Sequence, residues 1–240
     1  MFNKKFWTEG YGSFAIAIGV ALTIRWAVME AYVIPSGSML PTLLIHDHIF
    51  VNKMVYGVRV PFSEKWLVKF KNPEPGEIIV FKYPLEKSTF FIKRVVGVGG
   101  DRIEYREGKI YRNGTAVEQT DPIPEHVSEF NAMSDRNLQH GGDFSEQKGN
   151  FLHLTESLNG HKHSVLLERG AFGHTESMVW EVPEGKIFVM GDNRENSSDS
   201  REWGLLSIDR LIGQAWVVYW PSNEISMIPH YNSMPFSSVR

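Results

Sequence analysis

Cysteine is absent from this 240-residue chain. Its absence excludes disulfide frameworks, thiolate metal sites and cysteine nucleophiles together. A surplus of positive charge is missing too: 25 Lys and Arg stand against 28 Asp and Glu, a formal net charge of −3. Without a basic excess there is little to hold a phosphate backbone, so nucleic acid is not an expected partner. The nucleophile-elbow pattern G-x-S-x-G does not occur, and neither does H-E-x-x-H. His46-Asp47-His48 and His161-Lys162-His163 lack the spacing of a metal ligand set, and the nine histidines read as structural or exposed. Past residue 44 no long segment repeats with a helical period.

What is present begins with an apolar run. Residues 7–28 read WTEGYGSFAIAIGVALTIRWAV, with no charge between Gly10 and Ile24. With its aromatic ends the run approaches the ~20 residues a helix needs to cross ~30 Å of hydrocarbon. Trp7, Tyr11 and Trp26 sit near its ends, where amphipathic rings favour the membrane interface. Lys4 and Lys5 precede it, whereas residues 26–52 contain no Lys or Arg. This asymmetry predicts a short cytoplasmic tail over 1–6, an anchor over 7–28 and everything later outside. A cleaved secretory signal is the rival, but RWAVMEAYVIP after Ile24 offers no good A-x-A site.

The remainder has strand character. HIFVNKMVYGVRV (48–60), EIIVFKYP (77–84), TFFIKRVVGV (89–98), GKIFVM (185–190) and QAWVVYW (214–220) are rich in β-branched and aromatic residues. DRIEYREGKIYRNG (101–114) alternates around Glu107-Gly108 and then meets Asn113-Gly114, a hairpin signal. Residues 120–180 are polar with short apolar pieces. The expected fold is therefore mainly β: one N-terminal transmembrane helix, then an external antiparallel domain over 29–104 and 183–240. A variable inserted subdomain is expected over 105–182.

Three stretches stand out chemically. In IPSGSMLPTL (34–43), Pro35 and Pro41 fix φ at both ends and Gly37 permits a tight path past Ser38. A turn with locally bonded hydroxyls and a presented nucleophile both fit these residues. In FFIKRVVGV, Lys93 shares a strand face with Phe91 and Val95, while Arg94 faces the other way with Ile92 and Val96. A lysine on a desolvated face has its pKa lowered and becomes a usable base; a lysine reaching out from an edge strand fits as well. MGDNRENSSDSREWG (190–204) packs many short polar groups into one loop, either solvated or forming a hydrogen-bonded platform.

Taken together and in order, YVIPSGSMLPTL, PGEIIVFKYP, FIKRVVGVGGD and MGDNRENSSDSREWG resemble the bacterial type I signal peptidases, serine peptidases with a Ser/Lys dyad. The resemblance implies Ser38 as nucleophile and Lys93 as general base. Ser36 Oγ and the Ser38 N–H would form the oxyanion hole, and Ser197 would orient Lys93. Asp192 and Arg94 would pair, with Asp199 and Arg201 bracing the loop. Ile34, Met39, Leu43, Phe91 and Ile92 would line a shallow substrate pocket. No metal or other cofactor is implied. The implied partners are exported preproteins cut after Ala-x-Ala-like sites, and the lipid bilayer. The implied setting is the bacterial cytoplasmic membrane; some family members have two spans where one is present here, so the single-pass orientation, with the catalytic domain on the periplasmic side, rests on the Lys4-Lys5 asymmetry, and a monomer is expected. Two positions depart from the family pattern: His46 stands where Gly is usual, and Gly99 where Pro is common.

Overall fold

The computed structural model describes residues 11–60, 63, 65–86, 88–122, 151–170 and 177–220. Helix α1 (Tyr11–Ala27) comes first, followed by β1 (Met29–Val33) and a single 3-10 turn at Gly37–Met39. Then come β2 (His48–Asn52), β3 (Gly57–Arg59), β4 (Trp66–Lys69), β5 (Ile78–Lys82) and β6 (Phe90–Val98). The middle of the chain forms β7 (Arg102–Arg106), β8 (Lys109–Arg112), β9 (Thr115–Ala116), β10 (Glu118–Thr120), β11 (Phe151–Leu158), β12 (His161–Glu168) and β13 (Met178–Glu181). The last part holds β14 (Lys186–Met190), the one-turn α2 (Ser200–Trp203), β15 (Leu206–Ser207) and β16 (Leu211–Trp220).

A seven-stranded antiparallel sheet in the order β1-β2-β16-β5-β6-β14-β15 is the centre of the structure. Its central strands explain why it buries both faces. Ile78 and Val80 of β5 join one cluster with Ile34, Met39, Leu43, Ile49, Val51 and Ile92. Ile79 and Phe81, which point the opposite way, join Val95, Ile187, Val189, Leu206 and Leu211. A strand covered on both sides reads as a continuous apolar run rather than an alternating one, as Ile78-Ile79-Val80-Phe81 does. Each such side chain contributes about 1.5–3 kcal/mol by leaving water.

The segment between β6 and β14 builds two smaller sheets, β13-β7-β8-β9 and β10-β11-β12. Strand β7 straddles the expected boundary at 104/105, because the chain leaves the large sheet after Val98. Glu107-Gly108 (φ 50° and 75°) and Asn113-Gly114 (φ 53° and 80°) both take left-handed turns. Those are the conformations a two-residue hairpin loop demands. A third cluster, including Val96, Ile103, Ile110, Leu158, Phe188 and Met190, packs these smaller sheets against the large one.

Helix α1 has 17 residues, about 25 Å at the α-helical rise. Among the described residues no helix is long and apolar enough to cross a membrane. The expected 7–28 span begins in residues outside the described set, as does the 1–6 tail.

His46 is exposed and holds φ 70°. Its N–H donates to Ile34 O at 2.7 Å, which ties the end of the serine loop to β1. A left-handed residue with a Cβ costs roughly 1–2 kcal/mol. His46→Gly is therefore expected to stabilise the fold by about 1 kcal/mol, because little packing is lost and the strain is relieved. A thermal melt checks this; a lower midpoint for the variant contradicts it.

Candidate active site

The serine loop is built by two apolar anchors. Met39 and Leu43 are completely buried, and Leu43 N–H donates to Met39 O at 3.0 Å. Between Ile34 and these anchors the chain must turn. Ser36 is extended, with φ −140° and ψ 159°, and Gly37–Met39 form the 3-10 turn closed by Leu40 N–H on Gly37 O at 3.1 Å. The 190–204 loop grips this turn from the side. Asn193 donates its backbone N–H to Ser38 O and its Nδ2 to Gly37 O, both at 3.1 Å. Among the described residues no acceptor meets the Ser38 N–H. A Cβ at Gly191 would lie 2.3 Å from Ser197 Oγ and 2.5 Å from Ser38 O, so this approach requires glycine.

Lys93 arrives from β6. Its neighbour across the sheet is Ile79, and its side chain is buried to 3% exposure. Lys93 Nζ donates to Ser38 Oγ at 2.6 Å, across 55 residues of sequence. The Ser36 hydroxyl lies 3.5 Å from Ser38 Oγ. Burial is the main cause that pushes the Lys93 pKa down to about 8. Asp199 and Asp192 pull it back up, and Arg201 adds to the lowering. The amine also sits 5.4 Å from the Phe91 ring centroid.

The opposite face of β6 carries an ion pair. Arg94 Nε and Nη2 reach Asp192 Oδ1 and Oδ2 at 2.8 and 2.7 Å, and both residues are 1% exposed. Arg94 Nη1 also donates to Gly76 O at 2.7 Å. Burial pushes the Asp192 carboxyl up, but the Arg94 guanidinium outweighs it and holds the group below the usual carboxylate range. Asp199 accepts from Arg201 Nε and Nη2 at 2.8 Å each, from Ser197 Oγ at 2.8 Å and from the Gly191 N–H at 3.0 Å.

The structure thus brings Ser36, Ser38, Lys93, Ser197, Asp199 and Arg201 to one place, with Arg94 and Asp192 directly behind. One expectation changes and one gains a partner. Ser197 Oγ donates to Asp199 Oδ2 at 2.8 Å, which leaves its lone pairs as the means of meeting the Lys93 amine. The five expected pocket residues do not share one wall. Ile34, Met39, Leu43 and Ile92 form one cluster, whereas Phe91 points to the other face, stacked on Tyr83 at 4.3 Å.

Three supporting residues went unrecognised in the sequence: Thr42, whose hydroxyl donates to Asp192 Oδ2, Asn193, and Gly191. All lie inside the quoted motifs, but nothing in a single polar residue says which partner it will meet.

Residues 7–220 match the family described as signal peptidase, peptidase S26. The chain belongs to the signal peptidase family. It is 32% identical to the signal peptidase I of Pseudomonas fluorescens over 244 residues, spanning 96% of this chain and 79% of that one. It is 33% identical to the signal peptidase I of Aquifex aeolicus (strain VF5) over 241 residues, 95% of this chain and 89% of the other. A crystal structure of a signal peptidase I from Enterococcus faecalis V583 is 25% identical. It covers 61% of this chain and 98% of its own, with a TM-score of 0.34.

Membership in a signal peptidase family makes the chain a peptidase, and the buried ion pair behind the serine is then a support whose loss should be felt. Removing one partner of a buried pair leaves an uncompensated charge and costs roughly 3–5 kcal/mol. Asp192→Ala is expected to lower the unfolding midpoint accordingly, since Arg94 then faces an empty site. A melt within a degree or two of the parent contradicts this.

Proposed function

We propose that the protein is a membrane-bound serine endopeptidase that removes N-terminal signal peptides from exported preproteins. Ser38 is the nucleophile and Lys93 the general base. The observation that carries this reading is the 2.6 Å contact between Lys93 Nζ and Ser38 Oγ, both residues being buried.

With its pKa near 8, about a tenth of Lys93 is neutral at pH 7, enough to serve as a base. Neutral Nζ takes the Ser38 proton as Oγ attacks the scissile carbonyl carbon. The oxyanion so formed sits between the Ser36 hydroxyl and the Ser38 N–H. When the carbon–nitrogen bond breaks, the Lys93 ammonium returns its proton to the departing amine of the mature protein. Lys93 then deprotonates a water, which attacks the Ser38 ester; as the carbon–Oγ bond breaks, Nζ returns that proton to Ser38 Oγ and the signal peptide leaves with a new C-terminal carboxyl group. Ser197 acts one step back: it is bonded to Asp199, whose charge faces Lys93. Asp199–Arg201 and Asp192–Arg94 keep the loop in place.

The substrate's short extended segment adds as a strand between residues 32–36 and 90–93. Two features favour this slot. β1 is the terminal strand of the large sheet, and β14 pairs with β6 only from Val98 to Arg94. The floor made by Ile34, Met39, Leu43 and Ile92 is already filled, which leaves room for small side chains and favours Ala-x-Ala-like sites. Helix α1 exposes Phe14, Ile16, Ile18, Val20 and Leu22 along its length. Such a surface suits lipid, which favours an anchor over 7–28; the orientation proposed from the Lys4-Lys5 asymmetry puts the N-terminus in the bacterial cytoplasm and the catalytic domain outside, as a monomer.

Ser38→Ala and Lys93→Met are each expected to cut preprotein cleavage at least ~10³-fold, read by mass analysis of the products. Activity retained in Lys93→Met ends the dyad reading. In the parent, kcat/KM is expected to rise about tenfold per pH unit up to about 8 and then level, as the base loses its proton. A profile set by a group at the ordinary histidine value of ~6.5 contradicts it.

The same lowered pKa weakens the fold. Between about 8 and the ordinary 10.5 the unfolded chain holds the lysine proton and the folded one does not. Stability from this group therefore rises with pH through that window and is at its lowest below it. Lys93→Met is accordingly expected to melt higher than the parent at pH 7, by about 2–3 kcal/mol of stability. An unchanged or lower midpoint would show that the amine is not penalised by burial.

A further inference from the structure

The inserted sheet reaches the proposed centre through a chain of contacts, none of which touches a reacting atom. On β11, Leu152, Leu154, Glu156 and Leu158 alternate onto one face, so Glu156 stands among leucines. It is completely buried. Its carboxylate takes both ends of the Arg194 guanidinium, with Nη1 to Oε1 at 2.8 Å and Nη2 to Oε2. Gln119 Nε2 adds a hydrogen bond at 2.8 Å, and His163 Nε2 lies 3.5 Å away. Burial pushes the Glu156 carboxyl up, but Arg194 and His163 outweigh it and hold the group ionised.

Arg194 is bound at its other end as well: its Nε donates to Gly191 O at 3.2 Å. Gly191 is the residue pressed against Ser38 O and Ser197 Oγ. The neighbouring strand β12 grips the same segment by its backbone. Leu166 N–H donates to Asp192 O at 2.9 Å, and Arg194 N–H donates to Leu166 O at 3.0 Å. The Leu166 side chain clusters with Leu40, two residues from the nucleophile. The turn between β11 and β12 closes over Gly76, whose carbonyl holds Arg94; a Cβ there would meet His161 at 2.9 Å.

We propose that Glu156 is a positioning residue for the Ser38–Lys93 centre, acting through Arg194 on the backbone of Gly191–Asn193. The inserted sheet is then part of the peptidase machinery rather than a passenger on it. The proposal rests on the dyad reading above. Its physical basis is that the Asn193 N–H and Nδ2 set the height of Ser38, while Gly191 spaces Ser38 from Ser197 and Asp199. A guanidinium held at both ends fixes that short segment. Errors near 1 Å at a reacting group cost up to ~10²-fold in rate.

The test uses full-length, detergent-solubilised protein and a purified preprotein bearing an Ala-x-Ala cleavage site, with kcat, KM and the melting midpoint measured together. Glu156→Gln is expected to lower kcat by about 10- to 100-fold with KM within about twofold of the parent. Glu156→Asp, which keeps the carboxylate, is expected to recover part of that loss. The double variant Glu156→Leu with Arg194→Met replaces the buried pair by apolar groups of similar size, an exchange that commonly leaves stability intact. It is expected to melt near the parent yet keep the kcat loss, because Gly191 O has lost its donor. Parental kcat in the folded double variant, or a loss confined to KM, overturns the proposal. Ser38→Ala and Lys93→Met run alongside: cleavage by either sinks the dyad reading. Inactivity in both with parental kcat in the double variant sinks the positioning role alone.

Discussion

An amine pressed against a hydroxyl with water kept away governs this structure. A lysine at the surface is charged at neutral pH and useless as a base. Lys93 gives up its proton more readily because the neighbours across β6 are Ile79 and Phe81 on one side and Val95 and Phe91 along the strand, and on the dyad reading this is what makes it a base. The large sheet must therefore be buried on both faces at the point where Lys93 stands, and the serine turn must be pinned on top. The two clusters that sandwich β5 and β6 meet the first need, and Met39 and Leu43 meet the second. Carboxylates are present but held at a distance: Asp199 and Asp192 raise the lysine's proton affinity without cancelling the effect of burial.

Around that contact lie three ion pairs, Arg94–Asp192 and Arg194–Glu156 fully buried and Arg201–Asp199 buried on its carboxylate side. Such pairs are poor sources of stability, since removing two charges from water costs about as much as their attraction returns. Their value is directional. A guanidinium bound by both oxygens of a carboxylate has one orientation, and each of these three also holds a backbone carbonyl: Gly76, Gly191 and Arg194 itself. The 190–204 loop lacks long secondary structure, yet its path is fixed at several points by these forks.

Much of the scaffold was legible because it rests on short-range rules. Uninterrupted Ile, Val and Phe at 78–81 mark a strand buried on both faces. Glu107-Gly108 and Asn113-Gly114 mark turns whose backbone angles few other pairs adopt. The serine and lysine were legible as a pair through the motifs around them, not through spacing alone. The partner of Ser197 was not legible, since a hydroxyl takes whichever acceptor tertiary structure brings closest. Phe91 is a different case. Adjacent strand residues point to opposite faces, so period 2 already forbids Phe91 and Ile92 from lining one wall. Glu156 carried a readable signal too, a charge among leucines on one strand face, but its partner lies 38 residues away and no local rule reaches that far.

The order of the strands has a temporal consequence. Ser38 and Lys93 both lie in the first half of the chain, but β6 is covered by β14, β5 by β16, and the serine turn is gripped by Asn193. Until the last third of the polypeptide has docked, Lys93 lacks the burial that lowers its pKa to about 8 and Ser38 lacks the grip of Asn193. On the dyad reading, the proteolytic power of this chain appears only when the final strands close.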